Sequence, residues 1–338
     1  MARARRSRAA WSGVLIAATV AIAPAVAAVQ MPLDDAEPLT GPHYAVGEMI
    51  VTFTDTSRAI WYPGAHRAVA RTLETVIRYP AIGSPSQTDV FGATPAKQAG
   101  PFPLIVFAHG FDVTPTPYAR LLRAWARAGY VVAAPIFPLS SSTALGGADE
   151  ADLVNQPTDM SFVITRMLAA SAESGGILSG LLNPQQIAVA GQSDGGSTAL
   201  AVAYNRHYVD HRIGAALILS GTEISGIGGY TFPSPSRPLL AVQGTADRVN
   251  FPSSTYEFFR IARRPKLLLS LLGAPHLGPY TNEEPQLGIV ERTTVAFLDR
   301  YLKQQPGAGS RMWSVGDVPG VAMLRTWLRR ARSPVVVR

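Results

Sequence analysis

From about residue 44 the chain alternates two kinds of pattern. Short runs of continuous apolar residues, bounded by Gly, Pro or Asn, read as strands covered on both faces; between them, apolar positions return every three to four residues, as on an amphipathic helix. "GEMIVTFTDTSR" and "RTLETVIRYPA" come first, and their alternating Thr, Val, Ile and Tyr predict two strands of an antiparallel hairpin region. "FPLIVFAHG" follows as a buried strand, "PTPYARLLRAWARAG" as a helix stopped at Gly129, and "YVVAAPIFP" as a second buried strand.

The same alternation continues to the end of the fold. A helix is expected from about Pro157 to Ser171, then the strand "QQIAVAG", a helix from Gly195 to about His207, and the strands "IGAALILSG" and "RPLLAVQGTAD". A helix near Ser253 to Ala262, the strand "KLLLSLLGAPH" and a last helix from about Gln286 to Leu302 complete it. Strands that alternate this regularly with helices predict an α/β fold, a mostly parallel central sheet with helices on both faces. Thr222 to Ser236 is too short for an independent lid, so no large cap domain is expected, and the loop Leu139 to Gln156 is the one candidate flap.

The N-terminus has a different character. "MARARRSR" followed by "WSGVLIAATVAIAPAVAAVQ" has the basic and apolar regions of a signal peptide, with an A-x-A site at Ala25-Val26-Ala27. The expected organisation is a signal peptide at 1–28, a linker at 29–43, a catalytic domain at 44–304 and a C-terminal extension at 305–338. Within that extension "VPGVAMLRTWLRRARS" suggests a short basic amphipathic helix, which leaves room for contact with a lipid surface. The expected location is outside the cell or in its envelope, with an uncleaved anchor at Trp11 to Val29 as the alternative.

Charge changes the picture little. Of the formal net charge of +7, Arg3, Arg5, Arg6 and Arg8 lie in the leader, and the basic excess that remains gathers near the C-terminus. No aromatic-interleaved basic patch accompanies it, so nucleic acid is not an expected partner. There is no Cys, so no disulfide framework supports the exported fold and no thiol can serve as nucleophile.

The candidate chemistry lies where "IAVAGQSDGGSTALAVAY" leaves a strand and enters a helix. Gly191-Gln192-Ser193-Asp194-Gly195 fits G-x-S-x-G, the nucleophile elbow, in which a sharp turn lifts a serine hydroxyl clear of the sheet. A neutral serine needs a base, and the base an acid, in the chain order Ser, acid, His. Asp247 in "VQGTADRVN" and His276 in "LLGAPHLG" each stand just beyond an apolar strand, and His276 is the single histidine after both Ser193 and Asp247. Glu223, after "ALILSG", is the rival acid.

An oxyanion site needs two backbone N–H groups, and losing one typically costs about 100- to 1,000-fold in rate. Asp194 supplies one and Phe111, in the loop after "LIVFAHG", the other; Phe111 also offers an aromatic wall. His109 is expected to order that loop and to lie beside the substrate. The Asp194 carboxylate, at a helix start, is expected to bond backbone N–H groups and point away from the pocket. His207 and His211 have a spacing that can bind zinc, but no third ligand goes with them, so they are expected to be solvated; neither metal nor cofactor is expected.

With elbow, acid, histidine and "HGF" loop in hand, the chain resembles the α/β-hydrolase esterases. "FAHGFDVTPTPYARLLRAWARAGYVVAAPIFP" and "GQSDGGSTAL" resemble the bacterial dienelactone-hydrolase-like and platelet-activating-factor-acetylhydrolase-like branch, and more loosely the secreted polyester hydrolases and cutinases, over roughly Val46 to Leu302. The resemblance implies a serine carboxylesterase whose substrate is a small-molecule, lipid or polymer ester. Polyester hydrolases usually carry His before and Met after the nucleophile, where this chain has Gln192 and Asp194. The rivals are a phospholipid acyl hydrolase or a polyester, cutinase-like hydrolase on the same machinery, and a non-catalytic binding protein on the same scaffold.

Overall fold

Continuous burial along the central strands builds one sheet with a hydrophobic core on each face. The structure, a computed structural model, describes residues 43–64 and 66–327. Its ten strands are β1 (Ala45–Ile60), β2 (Val69–Ala81), β3 (Val90–Phe91), β4 (Phe102–Ala108), β5 (Val131–Pro135), β6 (Leu182–Gln192), β7 (Ile213–Leu219), β8 (Leu239–Gly244), β9 (Lys266–Leu271) and β10 (Ala322–Arg325). The helices are α1 (Ala119–Arg127), α2 (Gln156–Ala172), α3 (Asp194–Tyr204), α4 (Pro252–Ile261), α5 (Gly278–Thr281), α6 (Gln286–Tyr301) and α7 (Ala308–Gly316).

The strands lie in the order β10-β9-β8-β7-β6-β4-β5-β2-β1-β3. β5, β4, β6, β7, β8 and β9 run parallel, while β1 with β2, β2 with β5, and β9 with β10 pair antiparallel. Side chains of β4 alternate between the two cores: Leu104, Val106 and Ala108 meet α2, α3 and α4 residues such as Met160, Leu200 and Phe258, whereas Ile105 and Phe107 meet Trp125 of α1 and Val290 and Phe297 of α6. Helix α1 buries Leu121, Leu122, Trp125 and Ala126 along one stripe, and Gly129 takes a positive φ just past its end, as a helix stop requires.

The hairpin, the parallel strands and the five expected helices (α1, α2, α3, α4 and α6) lie within a few residues of their expected positions, and Thr222 to Ser236 carries no helix. The C-terminal part differs. Val318 to Trp327 holds a strand, not an amphipathic helix: Ala322 and Leu324 point into the core while Met323 and Arg325 are half-exposed, and β10 pairs with β9 from Ala322↔Leu271 to Arg325↔Leu268. The open edge of β9 offers backbone partners, and a period of two satisfies them where a helix would not. The sheet therefore extends past 304, with α7 packed on the same core through Met312. The expected signal peptide, most of the linker and the arginines after Trp327 lie outside the described residues. Among the described residues no helix is long and apolar enough to cross a membrane.

Candidate active site

β6 ends at Gln192 and α3 begins at Asp194, so a single residue, Ser193, makes the turn between them. It adopts φ 58° and ψ −123°, a left-handed conformation that a side chain occupies only when its surroundings hold it there. A bond from Ser193 N–H to Leu219 O at 2.9 Å and one from Ser197 N–H to Ser193 O at 2.9 Å fix it. Neighbouring glycines are required by space: a Cβ on Gly191 would run into the Gly195 carbonyl, and one on Gly195 into the Ala108 carbonyl.

The loops at the carboxyl ends of β8 and β9 bring two partners to the serine. His276 Nε2 lies 2.8 Å from Ser193 Oγ, and His276 Nδ1 lies 2.8 Å from Asp247 Oδ2. Asp247 is buried, and burial alone would raise its carboxyl. The bond and charge of His276, the Val249 N–H and the Ser220 hydroxyl outweigh that and hold it below the usual value. Its Oδ1 accepts from the N–H groups of Val249 at 2.9 Å and Asn250 at 3.0 Å, and its Oδ2 also accepts from Gln243 Nε2 at 3.1 Å. An ionised carboxylate only accepts, so Nδ1 carries the imidazole proton and the Nε2 lone pair faces the serine hydroxyl. This arrangement can take the hydroxyl proton as the oxygen forms a bond to carbon.

The rival acid Glu223 does not reach the histidine. It lies half-buried in a recess with Thr222, Ser254, Glu257 and Arg260, where burial and the Glu257 charge raise its carboxyl. His207 and His211 do not converge either: Arg206 Nε donates to His207 Nε2 at 3.3 Å, and His211 Nδ1 lies 3.5 Å from an Arg237 nitrogen.

The loop after β4 passes directly over the elbow. Gly110 is so close that a Cβ there would sit 3.2 Å from Ser193 Cβ. His109 is wholly buried and cannot line a substrate pocket, so of its two expected roles the structure gives it loop ordering alone. Phe137 N–H donates to its Nε2 at 3.0 Å, which leaves the proton on Nδ1 to be donated to Gly110 O at 2.7 Å. Burial lowers this imidazole to about 4, against the opposing pull of the Gly110 carbonyl, so it stays neutral. Fixing the Gly110 carbonyl also fixes the Phe111 N–H, because the two lie antiparallel across one planar peptide. Asp194 is the first residue of α3, so its N–H has no partner within the helix.

The Asp194 carboxyl departs from expectation. It caps nothing: Oδ2 is buried without a hydrogen-bond partner among the described residues. The charges that act on it are those of Glu150, between β5 and α2, and His276. Burial and the Glu150 charge raise it to about 6, with His276 pulling the other way. Desolvation has outweighed the favourable end of the helix dipole.

Several groups around the site carry no motif of their own. Gln243, which holds Asp247, is itself held by Thr255 Oγ1 at 2.6 Å; the Ser220 hydroxyl meets Tyr280 OH at 2.9 Å; and Asn250 Nδ2 donates to Ser220 O at 2.6 Å. Phe111 on the loop after β4, Val249 and Phe251 just after Asp247, and Leu277 beside His276 present apolar side chains to solvent, 38%, 65%, 60% and 37% exposed.

Comparisons with known proteins bear on the family and the fold. The chlorophyllase family model matches residues 57–225, which include the Gly110–Phe111 loop and the elbow. A ferulic acid esterase from Streptomyces cinnamoneus is similar in fold, with a TM-score of 0.59 at 21% sequence identity, over 79% of this chain and 94% of that one. No curated protein sequence matches. Since the family model spans half of the chain, the chain belongs to the chlorophyllase family, a family of α/β-hydrolases, and is a carboxylic ester hydrolase.

Proposed function

We propose that the protein is an exported serine carboxylesterase in which Ser193 is the nucleophile, His276 the general base and acid, and Asp247 the residue that orients His276. Ser193 Oγ attacks the ester carbonyl as its proton passes to His276 Nε2. The N–H groups of Phe111 and Asp194 hold the oxyanion of the tetrahedral intermediate. As the ester C–O bond breaks, the proton moves from Nε2 to the departing oxygen, and the alcohol leaves an acyl-enzyme. Water, deprotonated by His276, then releases the acid.

The observation that carries this reading is the unbroken path from Asp247 Oδ2 through both ring nitrogens to Ser193 Oγ, each step 2.8 Å long. The apolar side chains of Phe111, Val249, Phe251 and Leu277 support an open site for esters with an apolar group beside the carbonyl. Export rests on the leader pattern and its Ala25-Val26-Ala27 site.

The test is labelling with a fluorophosphonate probe, locating the adduct by mass spectrometry, alongside hydrolysis of a series of short- and long-acyl esters. An adduct on Ser193 is expected, and Ser193→Ala should fold normally with the reaction reduced by about 10⁶-fold in kcat. Full activity in that variant refutes the assignment. Sequencing the N-terminus of protein recovered outside the cell tests export; an intact Met1 refutes cleavage.

A further inference from the structure

Gln192, the variable residue of the elbow just before the nucleophile, has no part in the reaction as described above, yet it is almost completely buried beside it. Its Oε1 accepts from Tyr118 OH at 2.7 Å, and its Nε2 donates to His276 O at 3.0 Å. The same Nε2 lies 3.3 Å from His276 Nε2. Only one orientation of the amide fits. Turned over, Oε1 would face the His276 carbonyl, two acceptors with no proton between them. Tyr118 is itself buried, which pushes its phenol up and keeps it a donor. The amide is also roofed by the oxyanion loop, since a Cβ on Gly110 would stand 3.0 Å from Oε1.

One N–H of the amide is committed to the His276 carbonyl, and the other faces the edge of the ring where the transferred proton must arrive. In the resting enzyme Nε2 offers a lone pair, and an N–H donor beside it is compatible. Once the serine proton is on Nε2, two N–H groups face each other and the amide has nothing with which to accept. That contact raises the energy of the imidazolium and makes its Nε2 proton easier to give up to an oxygen: Ser193 Oγ, which returns the reaction to its start, or the departing oxygen, which carries it forward.

We propose that Gln192 is a positioning residue that clamps the His276 loop to the elbow and, through the amide edge facing Nε2, makes the transferred proton easier to pass to the departing alcohol. This rests on the triad reading above. The proton balance is unchanged: one proton leaves Ser193 Oγ, resides on Nε2 and ends on the alcohol as the C–O bond breaks. What Gln192 changes is how readily Nε2 gives that proton up, which matters for a leaving group that must receive one.

Leaving-group dependence separates this role from support of the fold. A nitrophenolate departs without a proton, whereas a simple alkoxide does not. Gln192→Met keeps the length of the side chain and removes both hydrogen-bonding ends. With KM little changed, kcat should fall by about tenfold on a p-nitrophenyl ester and by at least about 100-fold on the ethyl ester of the same acid, within the range of general-acid effects. Tyr118→Phe, which unties only the far end of the amide, should show a smaller loss with the same bias and serves where Gln192→Met does not fold. Equal losses on the two esters, or no loss on either, overturn the proposal. Fluorophosphonate labelling of Ser193 in the same variants keeps the two readings apart: failure to label the unsubstituted enzyme removes the triad itself, whereas normal labelling with equal ester losses removes only the role of Gln192.

Discussion

Replacing the carboxyl of Asp194 by an amide should stabilise the protein, and by an amount that grows with pH. The folded protein raises this group to about 6 through burial and the Glu150 charge, against an ordinary value of 3.8. Between those two values the unfolded chain has lost its proton while the folded protein still holds it. Stability therefore falls as pH rises from about 4 to about 6 and is flat above. At about 1.4 kcal/mol for each tenfold, the difference amounts to about 3 kcal/mol lost by neutral pH. An amide in its place has no proton to lose, so the substituted protein lacks this decline.

Equilibrium unfolding in urea at pH 4.5 and pH 8, on the enzyme and on Asp194→Asn, measures the difference directly. The gain from the substitution at pH 8 should exceed the gain at pH 4.5 by on the order of 2 kcal/mol, part of the decline being already under way at the lower pH. An equal gain at both values, or a loss at pH 8, would show that the carboxylate is solvated or bonded when ionised, and the argument from an unpartnered buried Oδ2 would fail. Activity is a poorer gauge, because an ionised Asp194 opposes the oxyanion and favours the imidazolium together.

Other expectations follow from groups at greater depth. His109→Phe should unfasten the Gly110 carbonyl and lower kcat by about tenfold or more while KM changes little, less than the full loss of one oxyanion donor; a change in KM alone counts against it. The same histidine lowers acid stability: its folded value of about 4 lies under the ordinary 6.5, so stability present above pH 6.5 declines by about 3 kcal/mol as pH falls to 4, and His109→Phe should remove that slope in urea titrations. Arg71→Met should cost about 3–5 kcal/mol in urea unfolding, because Asp152 and Asp159, bonded to the guanidinium at 2.6–2.8 Å, would keep their buried carboxylates without it; a loss under about 1 kcal/mol would show that Arg58 suffices.

The parts legible in the sequence are those dictated by local chemistry. A strand covered on both faces must be continuously apolar, so β4, β6, β7, β8 and β9 announce themselves, and the elbow needs its glycines whatever surrounds it. Asp247 and His276 could be found because chain order and position after a strand are properties of the sequence. β10 could not: four residues of Ala-Met-Leu-Arg fit a helix as well as a strand, and only the free edge of β9, formed by residues about fifty positions earlier, selects the strand. The two acids at the site show the same division. Asp194 occupies the position where a helix dipole favours a carboxylate, and local reasoning stops there; the opposing influences are burial by the fold and the charge of Glu150, more than forty residues away. Gln192 is visible in the motif as an unusual residue, but its meaning depends on Tyr118 and His276, which only the folded sheet brings to either end of one amide. Motif spacing therefore identifies the proposed triad, whereas the groups that aim it are chosen by contacts across the fold, and they are best found by asking of each buried polar atom near the serine what it bonds.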